Sequence, residues 1–125
     1  MNWTKGIFLV LVFLPASWTR VSRLNDAIDQ AAASYAATEY EQSIKNHRVL
    51  VDEFQVSSTY LDFNLGLSYQ YASQPEEAAA SFDKASQSTD KFLASFAYNQ
   101  GGVVFGNKQD YQAALSKFQS ALVQD

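Results

Sequence analysis

The chain has 125 residues, of which 47% are hydrophobic, and a formal net charge of −4 at neutral pH, a size that suits one domain. It contains no Cys and one His, His47, which excludes disulfides, thiol catalysis, a lipid-attachment cysteine and the usual His/Cys metal clusters. Lys5, Arg20 and Arg23 precede residue 24 while every acid follows it, so the remainder carries six bases against thirteen acids, a net −7; such a body disfavours nucleic acid, which demands clustered Lys and Arg.

The first element in chain order is the uncharged run GIFLVLVFLPASW at 6–18, preceded by Lys5 and followed by Arg20 and Arg23. As a helix it would reach only about 20 Å, short of the roughly 30 Å hydrocarbon core of a bilayer. Two readings of residues 1–23 stay open. One is a signal peptide, although Ala16 and Ser17 lack the paired small residues of a cleavage site. The other is a short uncleaved anchor, favoured by the basic residues after the run. The anchor reading gives membrane association through 6–18.

Three helix pairs are expected next, at roughly 25–36 with 40–54, 58–72 with 75–87, and 90–105 with 110–123, because apolar residues recur at three and four positions, as in Phe63, Leu67, Tyr71 and in Ala78, Phe82, Ala85. Pro75 followed by Glu76 and Glu77 suits a first helical turn, where a missing N–H costs nothing and acids meet the positive end of the dipole. Gly106 and Asn107 suit a helix end, and Asp110 the cap of the next helix. The last helix presents Tyr111, Ala114, Leu115, Phe118, Ala121, Leu122 and Val123 with no polar outer face, so a partner or further chain is expected to cover it.

The pairs are copies of one another. Gly66-x2-Tyr69-x8-Ala78-x3-Phe82-x2-Ala85 recurs as Gly102-x2-Phe105-x8-Ala114-x3-Phe118-x2-Ala121, offset by 36, and a degenerate copy 35 residues upstream sets Ala31 under Gly66, Ser43 under Ala78, His47 under Phe82 and Leu50 under Ala85. A period in the mid-thirties marks stacked helix-turn-helix units, of which three are about the fewest that hold together. The small residues have a packing reason: Gly66 and Gly102 are expected to let Ala78 and Ala114 approach across each pair. In this spacing the chain resembles the tetratricopeptide-repeat family over residues 24–125, in units of about 24–56, 58–90 and 94–125. The words Tyr40-Glu41-Gln42-Ser43-Ile44 and Phe63-Asn64-Leu65-Gly66, behind an apolar N-terminal segment, are similar to the membrane-associated repeat proteins of the bacterial Bat (aerotolerance) operon.

The resemblance implies an all-α, right-handed superhelix whose first helices line a concave groove for a polypeptide. The groove positions correspond to Tyr60, Phe63, Asn64, Leu67, Gln70 and Tyr71 in the middle unit and to Phe96, Asn99, Gln100, Val103 and Asn107 in the last. Family members that clamp a C-terminal carboxylate use Lys or Arg there. This set has neither, so an extended or helical peptide held by aromatic faces and amide hydrogen bonds is the expected partner; the alternative is that Tyr60, Phe63 and Tyr71 only fill contacts between repeats. It also implies a scaffold of the Gram-negative cell envelope, periplasmic or tethered to the inner membrane, with a self-associating assembly subunit as the second reading.

Catalytic patterns fail on spacing. The run from Gly101 to Gln109 has two Gly residues and Lys108 but lacks the Lys-Ser/Thr of a phosphate loop, and it ends a helix where a cradle should begin one. No Gly-x-Ser-x-Gly occurs, and the acidic pairs Asp52-Glu53 and Glu76-Glu77 are sequence neighbours that diverge around a helix. No enzyme activity, metal or cofactor is expected.

Overall fold

A computed structural model describes the backbone of residues 3–124 and the side chains of residues 18–124. The described residues are all-α: α1 (Trp3–Ala36), α2 (Tyr40–Asp52), α3 (Thr59–Tyr71), α4 (Pro75–Ala85), α5 (Lys91–Asn107) and α6 (Tyr111–Leu122). The apolar run at 6–18, and with it the choice between cleaved leader and anchor, falls outside the described side chains except for Trp18. Among the described residues no helix is long and apolar enough to cross a membrane.

Each helix packs chiefly on its hairpin partner, α1 on α2, α3 on α4 and α5 on α6, while α2–α3 and α4–α5 join successive hairpins. Direct contact between α3 and α5 makes them neighbours in one layer. They run in the same direction, since Tyr60 at the start of α3 bonds Asp90 at the start of α5, and Gln70 and Asn107 at their ends share a cleft.

Local signals explain the helix limits. Pro75 opens α4 with Glu76 and Glu77 in its first turn, and Asp90 and Asp110 accept from the first free N–H groups of α5 and α6. The three hairpin turns share one geometry. Thr38, Ser73 and Gln109, spaced by 35 and 36, each have a left-handed φ of 61–64°. Behind each, the next N–H reaches back five residues, Glu39 to Ser34, Gln74 to Tyr69 and Asp110 to Phe105, at 2.9–3.0 Å. This is the Schellman closure. The bend at the end of α5 thus falls on Gln109 and not on Gly106, which stays inside the helix without positive φ.

Two apolar clusters follow. Ala27, Ala31, Leu50 and Leu61 gather between α1, α2 and α3, and Ala78, Phe82 and Val104 between α3, α4 and α5, with Phe63, Leu67 and Tyr69 packed against the second. The positions in register share their burial even in the degenerate first copy: Ala31, Gly66 and Gly102 are buried, as are Ser43, Ala78 and Ala114, and Leu50, Ala85 and Ala121. The aromatic position diverges, because Phe82 is 1% exposed and Phe118 36%. Phe105, at the register of Tyr69, is half-buried under the Lys108 ammonium, 6.0 Å from its ring centre.

The reason for the glycines differs from the expected one. A Cβ on Gly66 would lie 2.7 Å from Phe82 Cε1, and one on Gly102 2.6 Å from Phe118 Cε1. The nearest obstacle is the aromatic ring one turn beyond Ala78 or Ala114, which lies against the bare glycine backbone.

Candidate functional site

The residues expected to line a groove form a stripe on α3 and another on α5, at spacings of three and four. Tyr60, Asn64, Tyr71, Phe96, Asn99 and Asn107 are exposed; Phe63, Leu67, Gln70, Gln100 and Val103 are half-buried. Several have internal duties. Phe63 tilts against Phe82 with ring centroids 5.6 Å apart, and Leu67 packs on the same cluster. Tyr71 stacks on Tyr40 at 5.0 Å, and Tyr35 meets Tyr40 edge-on at 5.8 Å, so one aromatic group ties α1, α2 and α3 together.

Tyr60 keeps an exposed ring but gives its hydroxyl to Asp90, which also caps α5 by accepting from Phe92 N and Leu93 N at 3.0 and 3.3 Å. The Tyr60 bond, then the Leu93 N–H, hold the Asp90 carboxyl below its ordinary range, and the same bond pushes the Tyr60 phenol up. Phe96 and Asn99 border a cleft of about 310 Å³ with Ser95, Phe118, Ala121 and Leu122. Gln70 and Asn107 meet at a cleft of about 260 Å³, where the buried Gln70 Oε1 has no hydrogen-bond partner among the described residues.

A wider opening lies between the first two hairpins. This cleft of about 520 Å³ is lined from α1 by Leu24, Ile28, Ala31, Ala32 and Tyr35, from α2 by His47 and Leu50, and beyond them by Val56, Ser58, Leu61 and Asn64. Its origin is legible in the register. Ile28, Ala32 and His47 stand 35 residues before Phe63, Leu67 and Phe82, which fill the corresponding space in the next unit. Three smaller side chains leave the gap.

Behind it sits a polar triad. Ser43 Oγ lies 2.8 Å from Ser68 Oγ and 3.2 Å from His47 Nδ1, Ser68 Oγ donates to Asn64 O at 3.1 Å, and His47 Nδ1 lies 2.8 Å from Ser43 O. A carbonyl can only accept, so Nδ1 carries the proton and Nε2 holds a lone pair. Burial lowers the His47 pKa, against a smaller opposing effect of its bond to Ser43 O, and keeps the ring neutral. Ser43 is fully buried, which closes its hydroxyl to any substrate. At the matching positions of the next junction stand Ala78, Phe82 and Val104. One interface between hairpins is therefore polar and the other apolar at identical points of the repeat.

No family model matches the chain, and no curated protein matches it. Sequence reasoning overlooked Ile28, Ala32 and Tyr35, although the 35-residue offset that aligned Ala31 with Gly66 also aligns them with Phe63, Leu67 and Gln70. It overlooked Ser68 as well, whose partner Ser43 lies 25 residues away with no local pattern to announce it.

Proposed function

We propose that this chain is a scaffold of the tetratricopeptide-repeat type, a right-handed superhelix that holds a partner polypeptide along the α1/α3/α5 side, in the envelope of a Gram-negative bacterium. The carrying observation is the exposure of Tyr71, Phe96, Asn64, Asn99 and Asn107 on the stripes of α3 and α5. Large aromatics in water beside amides favour a partner, since single domains seldom leave such a stripe bare. Aromatic faces bury apolar area while the amides serve the peptide backbone. The acidic body selects against nucleic acid, and the uncharged run at 6–18 between basic residues favours export or tethering.

The test is capture of envelope proteins on the full chain, compared with a Phe96→Ser/Asn99→Ala variant and with Asn64→Ala. These positions lie outside the two apolar clusters, whereas Tyr60→Ala would also remove the hydrogen bond to Asp90, the cap residue of α5, and Phe63→Ala would open the core. A partner bound by the wild type and lost from both variants supports the reading; a partner held equally by all three removes the stripe from the site. A second reading draws on α6, where Leu115 and Leu122 are exposed and Phe118 lacks the cover that α5 gives Phe82. Self-association through this face predicts concentration-dependent light scattering that a Leu115→Lys/Leu122→Lys variant abolishes.

A further inference from the structure

We infer that the cleft between α1, α2 and α3 is a socket for one tryptophan or tyrosine side chain of the bound polypeptide, with His47 Nε2 as acceptor for its N–H or O–H. The inference rests on the proposed function and adds a specificity to it. Shape comes first. One repeat further on, the same space is occupied by the chain's own Phe63, Leu67 and Phe82, and at the first junction Ile28, Ala32 and His47 replace them. The gap is thus the space of side chains that the fold elsewhere supplies for itself, two of them aromatic. Its remaining lining is mainly apolar, Leu24, Ala31, Leu50, Val56 and Leu61, so an apolar ring sheds its own contact with water by entering.

Chemistry narrows the occupant further. His47 Nδ1 is committed to Ser43 O at 2.8 Å, which turns the opposite edge of a cleft-lining ring away from α2. Nε2 then presents a lone pair, and no hydrogen bond to it is found among the described residues. An aliphatic or phenylalanine side chain would shed water from that nitrogen and return nothing. Only tryptophan and tyrosine join a large apolar ring to a hydrogen-bond donor. Asn64, exposed at the rim on the α3 stripe, is placed to meet the backbone on either side of the inserted residue.

Because His47 is the only histidine, the full chain labelled with ¹⁵N-histidine gives a single imidazole to follow. Capped pentapeptides Gly-Gly-Trp-Gly-Gly and Gly-Gly-Tyr-Gly-Gly should shift the Nε2 resonance saturably, and Gly-Gly-Phe-Gly-Gly should bind about threefold to tenfold more weakly, as the loss of one hydrogen bond implies. Ala32→Leu, which restores the residue found at Leu67, should abolish the shift while the Nδ1 resonance and the helical spectrum stay. Ile28→Phe serves the same purpose should Ala32→Leu fail to fold. Equal affinity for the three peptides, a shift that survives both filled variants, or binding of free indole with the peptides excluded would each overturn the inference. Failure here alongside intact, stripe-dependent capture of a protein partner would leave the proposed function standing. A saturable, Ala32→Leu-sensitive shift without such capture would do the reverse.

Discussion

Placing a methyl group on each of the two repeat glycines tests whether burial of the facing ring, and not the glycine itself, sets the cost. The local geometry is nearly the same: the added Cβ would stand 2.7, 2.8 and 3.1 Å from Phe82 atoms at Gly66, and 2.6, 2.8 and 2.9 Å from Phe118 atoms at Gly102. In both helices alanine gains about 1 kcal/mol of propensity over glycine. At position 66 the ring cannot yield, because Phe82 is boxed in by Ala78, Val104 and Phe63, and overpacking a filled core costs about 1–3 kcal/mol. Gly66→Ala should therefore lose roughly 0–2 kcal/mol net. At position 102 the ring borders an open cleft and can swing into it. Gly102→Ala should then be about 1 kcal/mol more stable. The two variants should differ by about 1–3 kcal/mol, a separation of roughly 4–12 °C in Tm for a chain of this size, read by far-UV circular dichroism in thermal and urea melts. Adding Phe82→Leu should recover part of the Gly66→Ala loss, a non-additive effect expected of touching residues. Equal shifts for both alanine variants would refute the reasoning.

The polar triad should respond as a unit: Ser43→Ala alone should cost about 1 kcal/mol through the lost bond to Ser68, whereas Ser43→Ala/His47→Phe/Ser68→Val, which copies the apolar junction, should be at least as stable as wild type in urea. Burial lowers the His47 pKa below its unfolded value of 6.5, so the unfolded chain binds the proton more readily; stability should be full above that value, fall by at most about 1.4 kcal/mol per pH unit below it, and level off once the folded pKa is passed. His47→Phe should remove that slope, and an unchanged slope would place the titration elsewhere. Tyr60→Phe should raise the Asp90 pKa towards the usual carboxylate range in a ¹³C carboxyl titration while helix content stays constant, and an unmoved Asp90 would contradict the bond between them. The Lys117–Asp83 pair, 2.6 Å apart with the carboxylate more than half exposed, should contribute no more than about 1 kcal/mol, a difference that high salt diminishes when Lys117→Gln is compared with wild type.

Along the chain, spacing by itself determined the all-α class, the three helix pairs and most of their ends. Apolar residues three and four apart share a face, Pro75 followed by two acids suits a first helical turn, and Asp110 favours a cap where N–H groups are free. These are interactions within one or two turns, and residue order contains them completely. The same offset also aligned positions that share burial in the structure, among them Ala31, Ser43 and Leu50 of the degenerate first unit, although Phe118 departs from Phe82. The hairpin bends were less visible. Gly106 drew attention as the residue suited to a helix stop, yet the left-handed residues of the three hairpin turns are Thr38, Ser73 and Gln109, where the hydrogen bonds that close each turn outweigh the cost of a Cβ at positive φ.

Tertiary structure alone decided which side chain meets which. Gly66 faces Phe82 more closely than Ala78, Ser43 finds Ser68 across a junction, and Tyr60 spends its hydroxyl on Asp90. Each contact depends on how two helices cross and on the volume of every neighbour at the crossing, and neither quantity is written in the spacing of either helix. The cleft beside His47 is the clearest case: it exists because Ile28, Ala32 and His47 are smaller than their counterparts while the backbones that flank them keep the repeat geometry, so the missing volume stays open where the helices cannot collapse to fill it.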